Sequence, residues 1–213
     1  MNARLNITFI GIGQVGSALA CNLLKAGHGV TIAARDPQSD SVRKAQQANP
    51  ALKALPTQEA LRAAEVVFLA TPYQANAEAL AGLNLSGKVL VDCTNPVGPG
   101  LTHGLQSRTS GAEEVQRLAP GAKVVKAFTI YGFENFQNSA YPGYNVKPMM
   151  MFCGQDAGAK KTVAGLIEQL GWEPMDVGGL EQALHLEHMT LLWVRMVRVS
   201  GASPHIVWAA LKR

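Results

Sequence analysis

Ile7-Thr8-Phe9-Ile10 is a short apolar run, and Gly11, Gly13 and Gly16 follow it at the spacing G-x-G-x-x-G. No other stretch limits the possible folds as tightly. The run has the length and the β-branched content of a buried strand. Behind the glycines, Ser17 to Ala26 repeats its apolar residues at helical spacing, and Gly27 stops it. In this motif the first glycine permits the tight turn, the second lets backbone amides approach a pyrophosphate, and the third lets the helix pack on the strand. The free N–H groups and positive dipole end of the helix then face the phosphates. A second strand, Val30 to Ala34, comes next. Strand, glycine turn, helix and strand together indicate dinucleotide binding, with Gly11, Ile12, Gly13, Gln14, Val15 and Gly16 as the phosphate loop.

The end of the second strand bears on which dinucleotide. A chain preferring NAD would place Asp or Glu there to accept from the ribose 2′-hydroxyl. This chain has Ala34, then Arg35 and Asp36. A guanidinium fork suits a 2′-phosphate, so the expected cofactor is NADP. Asp36 precedes Pro37 and reads as a residue shaping the next turn.

Beyond this the chain alternates. Short polar helices are expected over Ser41 to Ala48 and over Thr57 to Ala64, the latter with Thr57 as N-cap. Glu65 to Ala70 and Gly87 to Asp92 read as strands ending in Thr71-Pro72-Tyr73 and Cys93-Thr94-Asn95-Pro96. Ligands of open α/β sheets bind beyond the carboxyl ends of strands, so these corners should line the cleft. Val97 to Gly111 reads as a flexible loop, Glu113 to Leu118 as a helix, and Lys123 to Phe128 as a strand. Asn135 to Lys147 has no helical period and suits a substrate cover or a subunit contact. Pro148 to Cys153 is a further strand. Asp156 should cap a helix from Ala159 to Leu170, and Trp172 to Val177 a last strand. A long helix from Leu180 to Val199 and a final one from Pro204 to Leu211 complete the reading. The expected fold is therefore α/β, a doubly wound, mostly parallel Rossmann sheet. Residues 1–213 would form one NADP-binding domain, with 179–213 as a C-terminal helical tail.

Composition narrows the class. The 213 residues are 47% hydrophobic and 16% charged, enough apolar surface for a substantial core. No apolar run is long enough to span a bilayer, and no signal or transit peptide is evident. The three cysteines, Cys21, Cys93 and Cys153, lie far apart, which fits free thiols in a reducing cytoplasm. The net charge of +4 comes without a Lys/Arg block. It suits attraction of a polyanionic cofactor better than a nucleic-acid partner.

The chain also resembles the NADPH:coenzyme F420 oxidoreductase family, and is equally similar to the cytosolic reductase domain of six-transmembrane metalloreductases. The resemblance rests on Ala34-Arg35-Asp36-Pro37, Lys123 to Phe128 and Cys153-Gly154-Gln155-Asp156. To these it adds Pro174-Met175-Asp176-Val177-Gly178-Gly179-Leu180, with Glu187 beyond. It implies hydride exchange between NADPH and a second flat redox ring, coenzyme F420 or a flavin (FMN or FAD). Catalysis would then be mostly proximity, with rings held at roughly 3–3.5 Å and no proton-transferring dyad. Carried over, the resemblance puts Arg35 on the 2′-phosphate and Thr71 and Pro72 on the adenosine side. Asn95 and Pro96 come near the nicotinamide ribose, Phe128, Thr129 and Tyr131 near the nicotinamide and second ring, and Gly179 and Leu180 at the far wall. It departs at Ala34, where family members commonly have Ser, and at Thr129 and Tyr131, where the deazaflavin enzymes carry other residues.

Other readings compete. A reductase of a small imine, keto or hydroxy acid would normally carry a larger helical domain, and this tail is short and lacks an obvious inward Lys. An NADPH sensor or docking module without turnover is the non-enzymatic alternative. His185 and His188, flanking Glu187, read as packing or surface residues rather than metal ligands. His28 reads as a turn residue, and Cys93 has no evident activating partner. Met149-Met150-Met151 reads as core. The expected partners are a small redox substrate and a second copy of the chain. The contact between copies would run through Leu191, Leu192, Trp193, Val194, Met196 and Val197. Neither nucleic acid nor membrane is expected.

Overall fold

The computed structural model describes residues 3–211 and residue 213. Strand β1 (Asn6–Ile10) leads through the glycine turn into α1 (Gln14–Lys25), and β2 (Gly29–Ala34) follows. Then come α2 (Asp40–Ala48), β3 (Lys53–Pro56), α3 (Thr57–Arg62), β4 (Val66–Leu69), α4 (Asn76–Leu80) and β5 (Val89–Asp92). A small antiparallel hairpin, β6 (Val97–Gly98) and β7 (Thr102–His103), precedes α5 (Gly111–Leu118). The chain continues through β8 (Lys123–Lys126), α6 (Phe133–Gln137), β9 (Met149–Gly154), α7 (Ala157–Gln169) and β10 (Glu173–Asp176). A 3-10 turn, Leu180–Gln182, opens α8 (Ala183–Arg198).

Eight strands form one sheet in the order β10-β9-β8-β5-β4-β1-β2-β3. Its neighbours run parallel except β8 and β9, so the expected doubly wound, mostly parallel sheet is present. Strands covered on both faces need apolar residues at every position. Val66 to Leu69 are all buried for that reason. The chain leaves β1 for β2 on one side and returns to β4 on the other. The crevice between β1 and β4 is therefore the switch point where such sheets bind ligands. Phe9 and Phe68 stack beneath it with centroids 4.7 Å apart, and Phe128 joins them at 5.7 Å.

Several expectations are corrected. The segment Pro204 to Leu211 is not a helix. It runs as an extended strap whose backbone bonds go to the body of the protein. The Met149 N–H donates to the Trp208 carbonyl at 2.8 Å, the Trp208 N–H to the Tyr131 hydroxyl at 3.0 Å, and the Trp193 indole N–H to the Ile206 carbonyl at 2.9 Å. These outside partners satisfy the strap's backbone in place of intrahelical bonds. Residues 97–111 are not a loose loop, because the hairpin folds back with His103 buried. The edge strand β3 and the short helix α6 were unforeseen, since neither carries a clear period. Thr57 is the first residue of α3 and caps nothing with its side chain. Asp156 does cap α7, accepting from the Ala159 N–H at 2.7 Å. His28 is more than a turn residue: it is buried, its Nδ1 accepts from Leu5 N–H, and its Nε2 lies 2.8 Å from Gln169. Of the apolar α8 residues expected at a subunit contact, Leu191, Trp193 and Val197 are spent on the chain's own core, and Leu192 stays exposed. Among the described residues no helix is long and apolar enough to cross a membrane.

Candidate active site

The glycine turn is built as the spacing requires. Gly11 has φ +92, and a Cβ there would lie 2.6 Å from the backbone of Ala70 and Thr71 at the end of β4. A Cβ on Gly16 would lie 2.4 Å from the Gly11 carbonyl oxygen, so α1 sits directly on the turn. Gly13 differs from both: a Cβ there would meet nothing within 4 Å. It is the N-cap of α1 and offers no side-chain cap, so open space adjoins the uncapped first turn of the helix. That space fits a pyrophosphate, and a side chain at residue 13 would fill it.

Beside the turn lies a cavity of about 320 Å³ whose walls include Gly11, Ile12, Ala34, Arg35, Ser39 and Thr71. Arg35 is exposed and pairs with Glu78 of α4. Asp36 accepts from the Gln38 N–H at 2.8 Å, the turn-shaping role read from the sequence. The structure thus gathers Gly11, Ile12, Ala34, Arg35 and Thr71 around one hollow, with Pro72 exposed next to Thr71.

The strand-end corners are wired together. Thr71 Oγ1 donates to Asn76 Oδ1 at 2.7 Å, and Asn76 Nδ2 donates to Thr94 Oγ1 at 2.9 Å. Thr94 in turn donates through its hydroxyl (2.7 Å) and its N–H (2.9 Å) to Asp92 Oδ1. Asn95 Oδ1 accepts from Thr129 at 2.6 Å and from Thr190 of α8 at 3.1 Å, and Pro96 is buried beside it.

Below these corners lies a network the sequence reading missed. Lys126, at the end of β8, is 0% exposed. Its Nζ reaches Asp92 Oδ2 at 2.9 Å, Glu187 Oε1 at 3.1 Å and the Thr94 carbonyl. Glu187 also accepts from His103 Nε2 at 2.8 Å and from the N–H groups of Gly111 (3.0 Å) and Ala112 (3.3 Å) at the start of α5. The His103 Nδ1 accepts from the Leu105 and Ser107 N–H groups, so the ring proton sits on Nε2. Burial pulls the Lys126 ammonium down, but Asp92 and Glu187 outweigh it and hold the group above the ordinary lysine range. It stays charged and is no proton donor near neutral pH. A lysine set between the apolar pairs Val124-Val125 and Ala127-Phe128 was the available signal, because a buried charge demands partners. Burial, with the Asp92 charge, pushes the Cys93 thiol well up, so it is an inert neighbour.

Two residues expected near the rings have enclosed side chains. Phe128, at φ +52, is fully buried between Phe68 and Phe136. Tyr131 stacks on Trp172 at 5.2 Å and donates to the Met149 carbonyl at 2.7 Å. Both side chains are enclosed in the core, so they shape the wall from behind. Thr129 is buried and bonded to Asn95 and Thr190. Gly179 precedes the 3-10 turn, and Leu180 is buried where that turn packs on β8, β9 and α5. Among the described residues, no group of three or more His, Cys, Asp or Glu is arranged to hold a metal.

An open glycine turn at the switch point of a doubly wound sheet defines a dinucleotide-binding Rossmann domain. The model of the family described as NADP oxidoreductase, coenzyme F420-dependent, matches residues 6–96, in line with the resemblance drawn from the motifs. The metalloreductase STEAP3 of Rattus norvegicus is 30% identical over 188 residues, which is 87% of this chain and 36% of that protein. The chain therefore spans about a third of the length of that relative. A solved structure of a proposed F420-dependent NADP reductase from Arthrobacter sp. FB24 superposes at a TM-score of 0.81 with 29% identity, over 92% of this chain and 95% of that one. A hypothetical protein from Sinorhizobium meliloti superposes at 0.75 with 28% identity, over 98% and 96%.

Proposed function

We propose that this protein passes a hydride between NADP(H) and a flat redox ring, a flavin or a deazaflavin of the coenzyme F420 kind. The observation that carries the cofactor half is the open helix end at Gly13 beside a cavity whose cation is Arg35. In this reading Gly11 to Gly16 hold the pyrophosphate, Arg35 the 2′-phosphate, and Ala34, Thr71 and Pro72 the adenosine end. Asn95 and Pro96 form the nicotinamide-ribose end. Thr129 orients Asn95, Phe128 and Tyr131 keep the wall rigid behind it, and Gly179 and Leu180 close the far side. When bound, the nicotinamide supplies the hydride chemistry, and the chain contributes position and exclusion of water. The acceptor half rests on the family model and on the likeness to the proposed F420-dependent reductase. Residues 1–213 act as one unit, working in the cytoplasm.

Fluorescence titration should show tighter binding of NADPH than of NADH, and equal affinities would remove the NADP assignment. NADPH oxidation should then be followed by loss of its near-ultraviolet absorbance with F420, FMN, FAD and small carbonyl and imine compounds. Turnover with any of the first three supports the ring-to-ring reading. Turnover confined to carbonyl or imine compounds would replace it with the small-molecule reductase. Binding without turnover of any acceptor would leave a sensor.

A further inference from the structure

Among the described residues, Arg35 is the one cation on the wall of the nucleotide cavity, and it is already engaged. Its guanidinium pairs with Glu78, which adjoins the cavity-lining Ala79. The two residues are 43 positions apart, so the fold brings them together. The Arg43–Asp40 and Arg117–Glu114 pairs, by contrast, follow from i,i+3 helix spacing. Asp36 lies on the same wall and Asp40 begins α2 beside it, with Arg43 taken by Asp40. Acids therefore outnumber bases around the place where a 2′-phosphate would sit.

We infer that Glu78 is a specificity-determining residue of the nucleotide site: it competes with the 2′-phosphate for Arg35 and keeps the preference for NADP(H) below what Arg35 alone would give. The inference rests on the NADP reading above. Glu78 holds the Nη1 edge of the guanidinium, so a phosphate that takes the Nη1/Nη2 fork must displace the carboxylate or share that edge with it. The displaced Glu78 then stands close to a group carrying about −1.5 to −2 charge. Both side chains are largely exposed, 69% for Arg35 and 68% for Glu78, so the pair is weak and yields to a ligand. NADH presents a hydroxyl at the same place and does not contest the fork, so its affinity gains nothing from removal of the Glu78 charge.

The test is a set of NADPH and NADH titrations on wild type, E78Q, R35A and the double variant, with thermal melts to confirm folding. E78Q should tighten NADPH by roughly two- to ten-fold, the range for an exposed pair plus one like-charge contact. NADH should change by less than about two-fold. Most of the gain should vanish when Arg35 is also absent, and it should shrink as salt rises. Unchanged or weaker NADPH binding in E78Q overturns the inference, the latter by making Glu78 a support for the fork. If R35A leaves NADPH affinity untouched with and without Glu78, it is the NADP reading that fails. If R35A weakens NADPH while E78Q does not tighten it, only the role of Glu78 fails.

Discussion

The two ends of the cleft handle charge in opposite ways. At the β2 end, one exposed ion pair, Arg35 with Glu78, stands at the cavity. At the β5–β8 end, Asp92, Lys126, Glu187 and His103 are all buried and bonded to one another. Two carboxylates face one ammonium there. The balance comes from the His103 ring N–H and the Gly111 and Ala112 amides at the positive end of α5. An exposed pair can open for a ligand at little cost. A buried network cannot, because each partner removed strands another in a medium that does not solvate it. The β2 end is thus adjustable, and the end carrying Thr94, Asn95 and Pro96 is fixed.

The largest expected effect breaks the fixed end. Lys126→Met leaves two buried carboxylates without their ammonium and should cost about 3–5 kcal/mol in urea-unfolding stability. A loss below about 1 kcal/mol would show that the buried end is as tolerant as the exposed one.

The glycine turn sharpens the comparison, because two of its members should respond differently. Gly16→Ala forces a methyl to within 2.4 Å of the Gly11 carbonyl oxygen and should cost about 1–3 kcal/mol of stability. Gly13→Ala meets nothing within 4 Å, so its stability should hold, while NADPH affinity falls by about tenfold or more. Melting curves and fluorescence titrations separate the two. Unchanged NADPH affinity in G13A would remove the phosphates from this turn. At the adjustable end, Arg35→Ala should lower NADPH affinity by roughly tenfold and leave NADH affinity alone. Its unfolding midpoint should stay within about 0.5 kcal/mol of wild type, as befits an exposed residue.

The same contrast explains what could be read from the sequence. The glycine-turn half is local: strand, turn, helix and the residues Ala34 and Arg35 lie within one short βαβ unit, and each speaks through spacing or turn chemistry. The sheet order follows from alternating strands and helices. The buried network is assembled from Asp92, His103, Lys126 and Glu187, four distant segments, and no spacing rule connects them. The strap over 204–211 failed as a helix for a related reason. Its apolar residues suit a helix or a covered strand equally, and tertiary hydrogen bonds to Met149, Tyr131 and Trp193 decided between them. Phe128 and Tyr131 were placed at the right strand end, but which way their rings turn is set by packing on Phe68 and Trp172.

The smallest expected effect tests how the fixed end is held from outside. Ser110 caps α5, the helix whose first amides serve Glu187. Its hydroxyl accepts from the Glu113 N–H at 3.1 Å, and Glu113 accepts in return from the Ser110 N–H at 2.8 Å. Burial would raise the Glu113 carboxyl, but hydrogen bonds from the Ser110 backbone and the Ser110 and Thr109 hydroxyls prevail and hold it below the usual glutamate value. A carboxylate depressed by folding stabilises above its unfolded value of about 4.3, and that contribution is lost as pH falls through the folded value. Ser110→Ala should therefore cost about 1 kcal/mol near neutral pH. The gap to wild type should narrow in urea melts as pH falls below about 4.3 and through the lower folded value of Glu113, because the protonated carboxyl accepts more weakly than the carboxylate. A gap that persists into acid would assign the whole effect to the serine hydroxyl. The amides that feed Glu187 would then be held without help from Glu113.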